Sequence, residues 1–182
     1  MYVVKLCVVR LRWAGLLSPL LLCPFLLLAG CDSEGARPAA TVPAAPQQKG
    51  PAANDVARGA ISFIDGYERG CEVARRERKP MLLFFTATWC QYCHQMANEA
   101  FTQAQVTNLS QQFVCVLIDA DAEPRVCQGF QVRGYPTVQF LSPDGSPLHR
   151  VVGKRPGPQF MVDMQTALQA VARLETHGRI VQ

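Results

Sequence analysis

The sequence predicts an α/β fold, a central mixed sheet with helices on both faces. Two continuous apolar runs, MLLFFTA (81–87) and FVCVLID (113–119), have the composition of strands covered on both sides. Helical patterns lie between and around them. The turn-forming SPDGS (142–146) splits the last two extended segments into a hairpin. Strand, helix, strand, short helix, hairpin and closing helix in that order imply a sheet between helical layers.

Each element has its own signal. Ile64, Tyr67, Cys71 and Ala74 recur at helical spacing. Lys79-Pro80 stops that helix, because proline disfavours helical backbone in the residue before it. The first buried strand follows, and then a helical stretch from about Gln91 to Gln111 with a break near Thr102. After the second buried strand, a short helix from Pro124 to Phe130 leads into YPTVQFL (135–141). LHRVVG (148–153) is its hairpin partner. The closing helix, about 157–175, carries Phe160, Met164, Leu168, Val171 and Leu174 on one face.

With 182 residues the chain has room for one domain of ordinary size plus appendages. Its net charge is +4, but residues 1–30 contain Lys5, Arg10 and Arg12 and no acid. Without those three cations the charge is +1, which gives no electrostatic reason to expect nucleic-acid binding. The run RRERK (75–79) reads as a solvated helix end, with cations at the negative pole of the dipole.

Residues 1–30 have the layout of a signal peptide: a basic start, then the apolar WAGLLSPLLLCPFLLLAG (13–30) ending in small residues. Pro19 and Pro24 interrupt it, whereas a spanning helix wants about 20 clean apolar residues. LAGC at 28–31 resembles the bacterial lipoprotein signal, which implies lipidation of Cys31 and anchoring of the chain outside the cytoplasm. Asp32, by the rule for such lipoproteins, points to retention at the inner membrane. Residues 31–57 are rich in Ala and Pro without apolar periodicity, a linker that cannot offset its ordering entropy. At ~3 Å per residue it reaches on the order of 70 Å. The folded domain is expected at 58–182.

The chemistry concentrates in ATWCQYCHQM (87–96). Cys90 and Cys93 lie one helical turn apart, directly after a buried strand. There the first sulfur meets the unpaired N–H groups at the helix start, which favour its thiolate. The second can close a disulfide on it. Cys90 is then the nucleophile and Cys93 the resolving thiol, with Trp89 packed at the rim. Cys90-Gln-Tyr-Cys93-His94 also fits covalent haem attachment. Against that reading, a haem would lie on a sheet edge, and Met96 is too near in sequence to reach the opposite face of the iron. Cys90, Cys93 and His94 could serve a metal, but no second Cys/His pair has zinc spacing. The domain is therefore expected to need no metal and no cofactor.

FFTATWCQYC with YPT at 135–137 resembles the thioredoxin superfamily, from about Ile61 to Leu174. ERKPMLLFFTATWCQYCHQM and VTNLSQQFVCVLIDAD further resemble DsbD-like C-terminal periplasmic domains and related thioredoxin-like lipoproteins. The resemblance implies a thioredoxin-like fold and protein thiol–disulfide exchange through Cys90 and Cys93. It also implies a cis-proline at Pro136 that, with Tyr135, docks an extended substrate segment. Implied partners are cysteine-containing extracytoplasmic proteins and a membrane electron donor of the DsbD type. The alternative function is a copper-binding module using Cys90, Cys93 and His94, since copper(I) favours such ligands.

Two departures stand out. Thioredoxins carry a buried aspartate six residues before the first cysteine, where this chain has Phe84. Asp119, Glu99 and water are then the candidate proton acceptors. The dipeptide Gln91-Tyr92 is neither the Gly-Pro of thioredoxin nor the Pro-His of DsbA, and potentials across these folds span roughly −270 to −120 mV. Cys71, Cys115 and Cys127 remain. The fold implied by the resemblance puts Cys71 and Cys127 over one sheet face, where they could pair, or all three could be buried free thiols.

Overall fold

The computed structural model describes residues 55–180. The expected signal peptide at 1–30, the expected lipidation site Cys31 and the expected linker up to residue 54 lie outside the described residues. Six strands form one mixed sheet in the order β1-β2-β4-β3-β5-β6. In chain order these are β1 (Asp55–Arg58), β2 (Ile61–Asp65), β3 (Met81–Thr86), β4 (Val114–Asp119), β5 (Thr137–Leu141) and β6 (Pro147–Val152). β2 and β3 run parallel to β4, whereas β1, β5 and β6 pair antiparallel.

Among the described residues five helices cover the sheet: α1 (Tyr67–Glu77), α2 (Gln91–Glu99), α3 (Ala104–Ser110), α4 (Pro124–Gly129) and α5 (Gly157–Ile180). All six residues of β3 are buried because alternate side chains feed two cores. Leu82 and Phe84 join Leu117, Met96, Val106, Phe160 and Met164 on the side of α2, α3 and α5. Leu83 and Phe85 join Val116, Tyr67, Cys71 and Cys127 on the side of α1 and α4. The apolar runs at 81–87 and 113–119 are thus the central parallel pair.

Several expectations need correction. Ile64 belongs to β2, where it pairs with Val116, rather than to the first helix. That helix starts at Tyr67, after Gly66 takes a φ of 91°. The spacing of Ile64 to Tyr67 mimics a helix, but ISFID buries Ile61 and Phe63 in alternation, as a strand does. Strand β1 already occupies Asp55–Arg58, ahead of the expected start at 58. Three residues assigned to the linker pair with β2 as β1, closed by a turn at Gly59. A side chain at Gly59 would strike the Ala97 carbonyl of α2, so this hairpin seats directly on that helix. Cys71 and Cys127 share a core but no disulfide joins them; both are buried, as is Cys115. Leu174, expected on the buried face of the closing helix, is exposed. The break near Thr102 is present, between α2 and α3.

Candidate functional site

β3 ends at Thr86, and the chain turns tightly so that the Cys90 amide donates to the Ala87 carbonyl at 3.0 Å. Cys90 is the N-cap of α2, with extended backbone at φ −78° and ψ 94°. Its sulfur takes the place usually held by a capping oxygen and accepts from the Cys93 amide at 3.1 Å. Cys90 and Cys93 are joined by a disulfide, their Cα atoms 5.3 Å apart. Both residues are buried, while the flanking Trp89 and Tyr92 are 68% and 61% exposed.

Trp89 meets Tyr135 edge-on, ring centroids 5.8 Å apart and planes at 85°. Tyr135 sits at the seam of the molecule, packed against both cores, including the one that holds Cys90 and Cys93. The Tyr135–Pro136 peptide bond is cis, and the Pro136 carbonyl accepts from the Gly153 amide at 2.8 Å. Burial first, and then the neighbouring Cys127 thiol, push Tyr135 up to about 12. Burial raises the Cys127 thiol, opposed by the Tyr135 hydroxyl. Trp89 and Tyr135 thus stand together beside the core that holds Cys90 and Cys93.

His94 lies on the exposed side of α2. Its Nε2 bonds the Thr88 carbonyl at 3.1 Å, the ring nitrogen donating. Thr88 Oγ1 in turn donates to Asp121 Oδ2 at 3.3 Å. The Cys90 and Cys93 sulfurs engage each other while this ring nitrogen faces a carbonyl, so the three candidate copper ligands do not converge. Thr88 and Asp121 were not singled out from the sequence. Thr88 lies within the 87–96 motif, whereas nothing local marks Asp121, 33 positions away.

The candidate proton acceptors differ in setting. Glu99 is at the far end of α2, where Lys154 Nζ donates to its Oε2 at 2.9 Å and to Gln95 Oε1 at 3.2 Å. Asp119 stands opposite Thr86 in the parallel pair, and its Oδ1 accepts from the Asp121 amide. Phe84 packs against Phe63 and Phe101, at 5.8 and 5.1 Å between ring centroids. The position of the thioredoxin aspartate is thus a fully apolar site.

A family described as a thioredoxin-like domain matches residues 67–166, more than half of the chain. The chain belongs to the thioredoxin-like family. It is 34% identical over 87 residues to the thioredoxin-like protein slr0233 of Synechocystis sp., covering 48% of this chain and 80% of that one. The chain spans 39% and 42% of two chloroplastic thioredoxin-like relatives from rice, CITRX and HCF164. A thioredoxin from Thermus thermophilus shares the fold at a TM-score of 0.56 and 22% identity, over 61% of this chain and 91% of that one. The reduced C-terminal domain of Neisseria meningitidis DsbD does so at 0.50 and 23%, over 55% and 92%. The family is one of thioredoxin-like oxidoreductases, and its dithiol position is occupied here by the Cys90–Cys93 disulfide. Among the described residues no helix is long and apolar enough to cross a membrane.

Proposed function

We propose that this chain is a membrane-anchored, extracytoplasmic thiol–disulfide oxidoreductase that reduces or exchanges disulfides in other polypeptides. The observation that carries the proposal is the Cys90–Cys93 disulfide at the head of α2, adjoining the Trp89–Tyr135 pair and the cis bond to Pro136. Anchoring rests on the sequence: a signal peptide at 1–30, lipidation of Cys31 and a linker that carries the domain away from the bilayer.

In the reducing direction, the Cys90 thiolate attacks one sulfur of the substrate disulfide. A mixed disulfide forms and the first substrate thiolate leaves. Cys93 then attacks the Cys90 sulfur, closing the intramolecular disulfide and releasing the second substrate thiolate. Two electrons pass from the dithiol to the substrate, and the two protons of the dithiol end on the substrate thiols. Pro136 and Tyr135 dock the extended segment around the target cysteine by strand addition. A dithiol donor in the membrane, of the DsbD type, returns the pair to its reduced form. Reduction is preferred to oxidation because the resemblance is to electron-delivering domains.

Reduction of insulin disulfides with dithiothreitol as electron source tests this. The parent chain accelerates the reaction and Cys90→Ser does not; equal rates for the two would overturn the proposal. The equilibrium potential of the Cys90/Cys93 couple sets the direction. A value near roughly −120 mV would make the chain an oxidant instead.

A further inference from the structure

The charges of the domain are sorted along its strands. The parallel strands β2, β3 and β4 all end on the side of the disulfide. Asp65 and Glu68 stand there at the junction of β2 and α1, and Asp119, Asp121 and Glu123 run from the end of β4 to the start of α4. Arg125 and Arg133, on α4 and in the loop after it, offset part of this charge. The opposite end carries Arg75, Arg76, Arg78 and Lys79, where α1 gives way to β3, and Arg58 at the turn between β1 and β2. Among the described residues the carboxylates at that end are Glu77, shared by Arg76 at 3.7 Å and Lys79 at 3.5 Å, and Asp144 in the β5–β6 loop. Glu72 lies midway along α1. Five cations thus stand over two carboxylates at one end, and five carboxylates over two cations at the other. Arg78 also takes the left-handed backbone that ends α1, at φ 53°, where glycine sits without strain. An arginine there keeps the basic run unbroken at a conformational cost.

We propose that the end formed by Arg58, Arg75, Arg76, Arg78 and Lys79 docks on an anionic lipid surface, so that Cys90 faces away from the bilayer. This rests on the proposed anchoring and adds an orientation to it. A linker with a reach on the order of 70 Å lets either end approach the membrane, so charge selects between them. Each basic side chain brought to an anionic surface favours the bound state about five-fold, and the carboxylates beside the disulfide oppose the reverse orientation. The attraction falls off within about 10 Å at ordinary salt. It therefore acts on the end that touches, whatever the near-neutral sum over the domain. Docking of this strength is reversible, and the domain can still turn its disulfide towards a donor in the membrane.

The test uses the full chain with an excess of vesicles made of equal parts phosphatidylglycerol and phosphatidylcholine, or of phosphatidylcholine alone. A water-soluble acetylating reagent labels the lysines. Mass mapping compares Lys79 with Lys154, which follows the Gly153 whose amide bonds the Pro136 carbonyl and so reports the disulfide end. In the anionic vesicles the labelling of Lys79 relative to Lys154 is expected to fall about five-fold, and high salt is expected to restore it. Arg75→Gln, Arg76→Gln and Arg78→Gln combined are expected to abolish the fall, with insulin reduction unchanged. Should that variant fail to fold, the salt response of the parent decides. No fall, an equal fall in both kinds of vesicle, a fall that survives high salt, or protection of Lys154 in place of Lys79 would overturn the inference. Flotation with the vesicles at high salt reports the anchor, and insulin reduction the exchange activity. Either can fail by itself while the lysine ratio still decides the docking.

Discussion

The Cys93 amide donates to the Cys90 sulfur across 3.1 Å, from the first turn of the helix that Cys90 caps. The same N–H remains in place to stabilise negative charge on Cys90 once the disulfide opens. In the reduced native protein, iodoacetamide at neutral pH is therefore expected to label Cys90 first. Cys71, Cys115 and Cys127, all buried and not joined by disulfides, label only on unfolding. Mass mapping of the labelled peptides checks the order, and faster labelling of Cys93 would assign the nucleophile to the wrong sulfur.

Burial pushes the Cys115 thiol up to about 12 from an ordinary 9.0, against the opposing charge of Lys79 and a bond to Ser110. A folded value above the unfolded one stabilises the protein fully below about pH 9, and that stability drains away as the pH climbs towards 12. Tyr135, raised from 10.0 to about 12, adds to the same alkaline loss. Thermal midpoints measured from pH 8 upwards are expected to decline in the parent (approximate range from these shifts). In Cys115→Ala the decline is expected to be shallower. Parallel slopes would exclude Cys115 as a source.

Glu123 joins two elements: both its carboxylate oxygens accept from the Tyr67 amide at the start of α1, at 3.3 and 3.2 Å. Burial raises its carboxyl, the Tyr67 amide opposes, and Asp65 and Glu68 add to the rise. The sign follows: its contribution is complete below the carboxylate range and is lost as pH rises through it. Glu123→Gln keeps an acceptor without the charge and is expected to match or exceed the parent in urea denaturation at neutral pH. Its relative advantage should shrink in acid. Glu123→Ala, which removes the cap, is expected to lose about 1 kcal/mol.

Phe84 occupies the position at which thioredoxins keep a buried aspartate, and it is fully buried between Phe63 and Phe101. Phe84→Asp removes a ring worth about 3–5 kcal/mol and leaves a carboxyl with apolar neighbours. Chemical denaturation is expected to show a loss of at least about 3 kcal/mol. A loss under about 1 kcal/mol with faster disulfide reduction would mean that this pocket can house a proton acceptor after all.

The sequence exposed the parts of the fold that depend on local pattern. MLLFFTA and FVCVLID read as covered strands because all but one position in each is apolar, and Cys90 and Cys93 declared themselves by one-turn spacing after such a run. What stayed hidden depends on closure in space. β1 is a four-residue segment, DVAR, whose strand character comes from pairing with β2 rather than from its own residues. Ile64 was misplaced because a three-residue step to Tyr67 fits a helix as well as a strand-to-helix junction. The link from Thr88 to Asp121 joins residues 33 positions apart, and no spacing rule marks it.

Trapping of the mixed disulfide examines the central chemistry most directly. A Cys93→Ala chain incubated with oxidised insulin should accumulate a reducible covalent adduct mapped to Cys90. A Cys90→Ser chain should form none. Absence of the adduct in Cys93→Ala, or its attachment through Cys71, Cys115 or Cys127, would contradict the account.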